Sequence, residues 1–295
     1  MVKIVVRPLS RVMAQRLCAD HPHAQTLPKS GRYYFGGFLD EKLCGLAVWG
    51  YGVNPTRTPK HLFGEATQRD QYLELCRFFV YDWTPKNTAS AFLAATHRII
   101  KRHRPDIKWL FTYAAGFQGM VGTIYQAANY EYIGRQPVEA FVYIPQVGLV
   151  HAVSIWHRFK QKWCWGTNIL MLCKLEQLWG RRVYFWRGVN YRYIYWLCDA
   201  NERQELLAHA KFKIEPYPRL DDVKVWLIDA DGVETTVPPS DHKKVPIVHL
   251  SSTRTRPKDS SEPPAIHAGE GGAAPTRALQ NLFPLRDRMA RLVTG

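Results

Sequence analysis

No run of apolar residues in this 295-residue sequence approaches the roughly eighteen that a membrane-spanning helix needs. The amino terminus, Met1-Val2-Lys3-Ile4-Val5-Val6-Arg7, lacks the long apolar stretch of a secretory signal, so a cytoplasmic location is expected. Acidic residues are scarce: 25 Asp and Glu stand against 40 Lys and Arg, a formal charge of +15. So large an excess repels itself unless a polyanion is a regular partner, and nucleic acid leads that group. Cysteine is sparse too. The six, Cys18, Cys44, Cys76, Cys164, Cys173 and Cys198, form no Cys-x-x-Cys pair and sit in apolar or aromatic surroundings. That argues against a zinc ribbon or a disulfide framework and for reduced, mostly buried thiols. No His, Cys, Asp and Glu set has metal-ligand spacing; His21-Pro22-His23 comes nearest and reads as a surface loop. Core-building residues are plentiful, 46% hydrophobic and 13% aromatic, which excludes wholesale disorder.

The patterning predicts the order hairpin, strand, helix, strand, helix, strands. Two apolar runs between Tyr33 and Val53, split by Asp40-Glu41-Lys42, read as a hairpin. Leu73 to Tyr81 reads as a strand, and Ala89 to His103 as a helix with Phe92, Ala95, Thr96, Ile99 and Ile100 on one face. Ile107 to Tyr113 is a buried strand, Gly122 to Asn129 a helix start, and Tyr130 to Gly134 with Ala140 to Ile144 a closing pair of strands. Residues 1–150 are expected to form one core. Residues 151–236 form an aromatic and basic extension, with Trp156, Trp163, Trp165, Trp179, Trp186 and Trp196 among many Arg and Lys. The tryptophans are expected to be mostly core. Residues 237–295, rich in Pro, Ser, Thr and Gly, read as a disordered tail, with a short terminal helix over Thr276 to Leu292 as an alternative to fraying.

Two segments carry polar chemistry. The first, Pro85-Lys86-Asn87-Thr88-Ala89-Ser90, leads a strand into a helix, where free backbone N–H groups and the helix dipole suit a phosphate, carboxylate or polarised carbonyl. The plainer alternative is that Asn87, Thr88 or Ser90 caps the helix. Arg77 lies in an otherwise apolar strand, where a guanidinium needs a partner: a ligand, or a structural salt bridge with Glu74 or Asp82. The second segment runs from Tyr113 through Gln118 and Gly119 to Gly122, Thr123, Tyr125 and Gln126, and its three glycines, Gly116, Gly119 and Gly122, imply close backbone approach. Strand-to-helix loops from adjacent strands meet at one end of an open sheet, where such sheets bind ligands.

These residues resemble the phage Mom DNA-modification proteins, a divergent branch of the GNAT acyltransferase fold. The likeness rests on Leu75-Cys76-Arg77, on Pro85 to Ser90, and on Tyr113-Ala114, Gln118-Gly119 and Gly122-Thr123-Ile124-Tyr125-Gln126-Ala127-Ala128-Asn129, with weaker echoes across roughly residues 1 to 220. It implies an α/β (α+β) fold, a GNAT-like mixed sheet flanked by helices. It also implies conversion of DNA adenine to an N6-carbamoylmethyl form that blocks restriction, by a phage- or prophage-encoded protein acting in the bacterial cytoplasm. By position, Arg77, Ser90 and Tyr125 match the family's active-site residues.

The substrate-binding set expected around them is Asn87, Thr88, Tyr113, Gln118, Gly119, Gly122, Thr123 and Gln126. The partner implied is double-stranded DNA, with Lys29, Arg32, Arg158, Lys160, Lys162, Arg181, Arg182 and Arg192 as the residues expected to meet it. The target base is flipped out of the stack to be reached. The donor is left open, an acyl-CoA or another activated glycyl or acyl compound. The family's iron is another matter: its motif carries Asp directly after Tyr-Ala, where this chain has Ala115, and that departure argues against a metal and weighs against activity. Asp82 and Glu65 are the carboxylates available to substitute, and His21 and Tyr125 would be the first ligands to test. Two other readings stand beside this one: an acyl-CoA-dependent N-acyltransferase acting on another nucleic acid or amine, and an inactive DNA-binding relative.

Overall fold

The computed structural model describes residues 3–21, 24, 26–159, 161–238, 245 and 247–248. In chain order the elements are β1 (Val5–Pro8), α1 (Arg11–Asp20), β2 (Gly31–Leu39), β3 (Lys42–Gly50), α2 (Arg57–Phe63), β4 (Tyr72–Val80), α3 (Thr88–His103), β5 (Trp109–Ala114), α4 (Thr123–Ala127), β6 (Glu131–Ile144), β7 (Gly148–His151), α5 (Ala152–Phe159), α6 (Ile169–Trp179), β8 (Tyr184–Trp196), α7 (Ala200–Ala208), β9 (Trp226–Ile228), β10 (Glu234–Thr236) and β11 (Ile247–Val248). This is the expected mixed α+β class, strands flanked by helices. The described residues fall into two compact units, one running to Thr112 and taking in Tyr195–Lys211, the other holding Tyr113–Ile194 and the described residues from Phe212 onward. The division cuts across the boundary expected at residue 150. Apart from 237, 238, 245, 247 and 248, the tail expected to be disordered, with its alternative terminal helix, lies outside the described residues.

In the first unit β1, β2, β3 and β4 form an antiparallel meander, and β5 joins parallel to β4. The hairpin closes through Asp40 and Glu41, both with positive φ (45° and 63°), the geometry of a two-residue turn whose twist suits flanking strands. Tyr33–Phe38 and Leu43–Gly50 are buried throughout, so β2 and β3 read as unbroken apolar runs covered on both faces. One cover is α1, which starts where the Ser10 side chain accepts from Met13 N–H (3.1 Å) and packs Ala14, Leu17 and Cys18 against Tyr34, Leu46, Val48 and Phe79. The other is α3, whose buried Phe92, Ala95, Thr96 and Ile100 are four of the five residues predicted for its inner face. Each such fully buried apolar side chain contributes about 1.5–3 kcal/mol.

Among the strands of the second unit, β6 pairs antiparallel with both β7 and β8, β11 lies parallel to β7, and β9 links β8 to β10. The closing pair of strands expected over 130–144 is in fact one 14-residue strand: irregularities at Tyr132/Arg135 and Val138/Phe141 absorb the polar stretch between the apolar halves. α5 and α6 cover this sheet through Ile155, Met171, Leu172 and Leu175, packed on Val142, Val150 and Phe185. The tryptophans behave as expected. Trp186 is 1% exposed, Trp156, Trp163 and Trp179 pack on the same core, and Trp196 meets Phe63 in the first unit (6.0 Å); Trp165 is the exception at 70% exposure. The cysteines are free; Cys18, Cys44 and Cys164 are buried and the other three half-buried.

Candidate active site

Strand β4 positions the first group of polar residues. Its parallel pairing with β5 covers only Tyr72–Glu74 against Trp109–Phe111, so from Leu75 onward β4 has an unpaired edge on that side among the described residues. On the other side the register with β3 slips: Gly50 faces Glu74, Trp49 faces Leu75 and Val48 faces Arg77, leaving Cys76 as an extra, bulged residue. Facing residues of an antiparallel pair share a face, and Trp49 lies on α3's side, its ring 5.7 Å from His97, while Val48 packs with α1. Glu74 and Arg77 therefore share the α1 face, and Leu75 and Phe78 point toward α3, with Phe78 5.6 Å from Phe92.

Arg77 is half-buried, with no carboxylate partner among the described residues. It donates to the Thr26 carbonyl (3.3 Å), its Nε has no hydrogen-bond partner, and it forms no ion pair with Glu74 or Asp82 among the described residues. Burial depresses its pKa, opposed by the nearby Cys18 and Cys76 thiols. The salt-bridge reading of Arg77 is thus not what the structure displays, and an unmatched, half-buried guanidinium is a costly group unless an anion meets it. Glu74, which the sequence reading took only as a partner for Arg77, is the residue it missed. Its carboxyl packs so closely on Gly52 (φ +68°) that a Cβ there would overlap it, and burial pushes its pKa up to about 7. Cys76 completes the group, its sulfur 3.5 Å from Ser30 Oγ, with burial pushing the thiol up to about 11. The carboxylates suggested as substitutes lie elsewhere: Asp82 is exposed, and Glu65 is paired with Lys60 at 2.5 Å, a pairing that lowers its pKa.

Ser90 stands in the first turn of α3, on the opposite cover of β4 from Arg77. The capping alternative is not realised: Asn87, at φ +70°, makes no side-chain cap, the Thr88 hydroxyl donates to Pro85 O (2.7 Å) and the Ser90 hydroxyl to Asn87 O (3.1 Å). No acid occupies the first turn of this 16-residue helix, and Lys101, Arg102 and His103 occupy its last. Its positive end stays uncompensated.

In the second unit Tyr125 is 8% exposed and sits among tyrosines, 5.6 Å from Tyr130 and 5.5 Å from Tyr193 between ring centroids. Gln126 donates to Val121 O (3.0 Å) and to the Tyr193 hydroxyl (3.3 Å), and that hydroxyl bonds Val121 O in turn. Gly122 (φ +75°) is required here: a Cβ would lie 2.6 Å from the Tyr193 ring. Gly119 ends a 3-10 turn at φ +76°, Thr123 opens α4 exposed, and Tyr113 and Gln118 are half-buried. The loop is fixed from behind, because Trp186 Nε1 donates to Phe117 O (2.8 Å) and the Phe117 ring stacks on Phe141 at 4.9 Å.

Among the expected DNA-contacting residues, Lys29, Arg32, Lys162, Arg181 and Arg182 are exposed. Arg182 lies 3.5 Å from Asp231, and Arg192 is turned inward, donating to Ile133 O at 2.9 Å. Arg158 lies in α5; Lys160 is outside the described residues. The donor set does not fit an iron ion. No group of three or more His, Cys, Asp and Glu converges among the described residues, and His21 stacks on Phe79 at 3.9 Å.

Residues 3–219 match the Mom protein family. This chain belongs to that family. A relative, the methylcarbamoylase mom of Escherichia phage Mu, is 25% identical over 215 residues, 72% of this chain and 83% of the relative. Among solved structures, the aminoglycoside acetyltransferase AAC(6')-Ib in complex with coenzyme A and kanamycin aligns with 45% of this chain and 87% of its own, at 11% identity and a TM-score of 0.34. The same acetyltransferase with ribostamycin and coenzyme A gives 0.36 at 11% identity, over 45% of this chain and 86% of its own. No helix among the described residues of this Mom protein is long and apolar enough to cross a membrane.

Proposed function

We propose that this Mom protein is a transferase that modifies DNA, adding a carbamoylmethyl group to the exocyclic amine of adenine. The observation that carries the reading is that half-buried Glu74 and Arg77 lie on one face of β4 without pairing to each other, in a chain related to a methylcarbamoylase. Adenine's amino nitrogen is a weak nucleophile because its lone pair is delocalised into the ring, so it must be positioned and relieved of a proton as it reacts. Glu74, with a pKa near neutrality, is suited to take that proton. Arg77 supplies the unmatched positive charge for the donor's carbonyl or anionic part. The free edge of β4 offers backbone hydrogen bonds to an extended donor, and the N-terminus of α3, with Asn87, Thr88 and Ser90, suits its anionic end. A donor of the acyl-CoA class, or another activated glycyl or acyl compound, has the extended, anionic form these groups suit; attack at its carbonyl forms an N6–acyl bond as the leaving group departs and Glu74 takes the proton, and a glycyl group so attached is an isomer of carbamoylmethyl that must rearrange to give it. Tyr125, with Tyr113, Gln118, Gly119, Gly122, Thr123 and Gln126, forms the polar loop of the second unit, which we assign to substrate binding. Exposed Lys29, Arg32, Lys162, Arg181 and Arg182 neutralise DNA phosphates while the base is flipped. No step runs through iron.

The test is nucleoside mass spectrometry on plasmid DNA from cells making the protein. A carbamoylmethyl-adenine adduct, with resistance to restriction enzymes whose sites contain adenine, is expected; unmodified adenine refutes the reading. Ala115 favours a second reading, an inactive DNA-binding relative, which an adduct appearing only with Ala115→Asp would select.

A further inference from the structure

At the far end of β4 from Glu74, the loop toward α3 and the β2–β3 turn border an open surface cavity of about 490 Å³, lined by Lys3, Leu39, Asp40, Lys42, Trp83 and Pro85. None of these residues has a part in the chemistry above. Trp83 keeps 38% of its surface exposed, and the Lys42 ammonium sits 4.5 Å from its centroid. Asp40 lines the same cavity and is held by turn geometry, φ 45°, with no ion pair among the described residues; its neighbour Glu41 takes Arg7 at 2.5 Å instead. An exposed aromatic plane, two ammonium groups and one unpaired carboxylate, set around a space of this size, have the makings of a specific small-molecule site.

We infer that this cavity is a nucleotide site. A planar base stacks on Trp83, with the apolar edges of Leu39 and Pro85 beside it. Asp40 accepts hydrogen bonds only, so it selects a base that presents an amino group. Lys3 and Lys42 meet the phosphate, and Lys42 leaves the Trp83 ring to do so. A simple anion would use the lysines and leave the ring and the carboxylate idle; a neutral aromatic would leave the lysines idle. The same chemistry arrives either as a free nucleotide or nucleotide-bearing donor, or as one nucleotide of a DNA strand. The inference does not depend on the transferase reading, since it concerns binding alone.

Fluorine NMR of the full-length protein labelled with 5-fluorotryptophan tests it, with the Trp83 signal assigned through Trp83→Phe. Titration with AMP is expected to shift that signal saturably, adenosine to bind at least tenfold more weakly, and Lys42→Gln to weaken AMP by about tenfold with an unchanged circular dichroism spectrum. A hexanucleotide of deoxyadenylate forms the second arm. Response to AMP identifies a free nucleotide as the ligand, and response to the hexanucleotide alone identifies a nucleotide of the strand. A Trp83 signal indifferent to both overturns the inference. So does an equal shift with inorganic phosphate, which would reduce the cavity to an anion-binding surface.

Discussion

Replacing Glu74 by Gln removes a half-buried charge while keeping the shape of the side chain, and its effects on stability and on activity run in opposite directions. Burial raises the carboxyl from its ordinary 4.5 to about 7, with no cation beside it to compensate. Between those values the folded protein holds a proton that the unfolded chain has released. Wild-type stability therefore falls as pH rises through that window and stays lowered above it. At 1.36 kcal/mol per pH unit the burden above pH 7 is about 3 kcal/mol. Glu74→Gln escapes it. The variant should match the wild type near pH 4.5 and exceed it at pH 8, by several degrees in Tm if 1 kcal/mol is worth about 2–4 °C. Modification should behave oppositely: wild-type activity rises with pH about a midpoint near 7, and the variant loses most of it at pH 8 while binding DNA as before. Thermal unfolding at the two pH values, with adduct yield in parallel, decides the matter. A variant no more stable at pH 8 would show that Glu74 is not buried as an uncompensated acid. A stabilised variant with an unchanged pH–activity profile would remove it from proton transfer.

Arg77→Met should leave stability within about 1 kcal/mol of wild type or raise it, because no buried carboxylate loses its partner, yet abolish the adduct; denaturant unfolding showing a loss of 3 kcal/mol or more would restore the structural ion-pair reading. Gly122→Ala forces a Cβ into the left-handed region and against the Tyr193 ring, and should cost at least about 1–2 kcal/mol by the same measurement. Trp186→Phe leaves Phe117 O without its donor and should cost about 1–3 kcal/mol, with faster amide exchange in the loop from Ala115 to Gly119 as its local signature. DNA affinity should fall about a thousandfold between roughly 50 and 200 mM salt if about six phosphates are neutralised, as fluorescence anisotropy would record; a nearly flat response would remove the duplex as partner.

What was legible in the sequence is what local chemistry dictates. The β2–β3 hairpin was, because a charged pair that accepts positive φ separates two apolar runs; α3 was, because its apolar residues recur at helical spacing. Short elements were harder. α2 is seven residues long and carries Pro59 in its first turn, where the missing N–H has no helical partner to lose, so the sequence looks like a loop. β6 looked like two strands because Arg135-Gln136-Pro137 interrupts its apolar pattern, and only pairing with β8 shows that the chain continues through. The site divides in the same way. Arg77 stands out as a charge in an apolar strand, and the three glycines announce a tight loop. Glu74 does not stand out, since simple alternation would put residues three apart on opposite faces of β4. The single extra residue at Cys76 reverses the alternation, bringing Glu74 and Arg77 to one face, and a bulge of that kind depends on the register of β3 against β4 rather than on any local residue pattern. A half-buried acid and a half-buried guanidinium that make no ion pair with each other, brought to one face by a bulge that costs ladder hydrogen bonds, form an arrangement that folding alone does not reward; it becomes intelligible when both groups face a reactant.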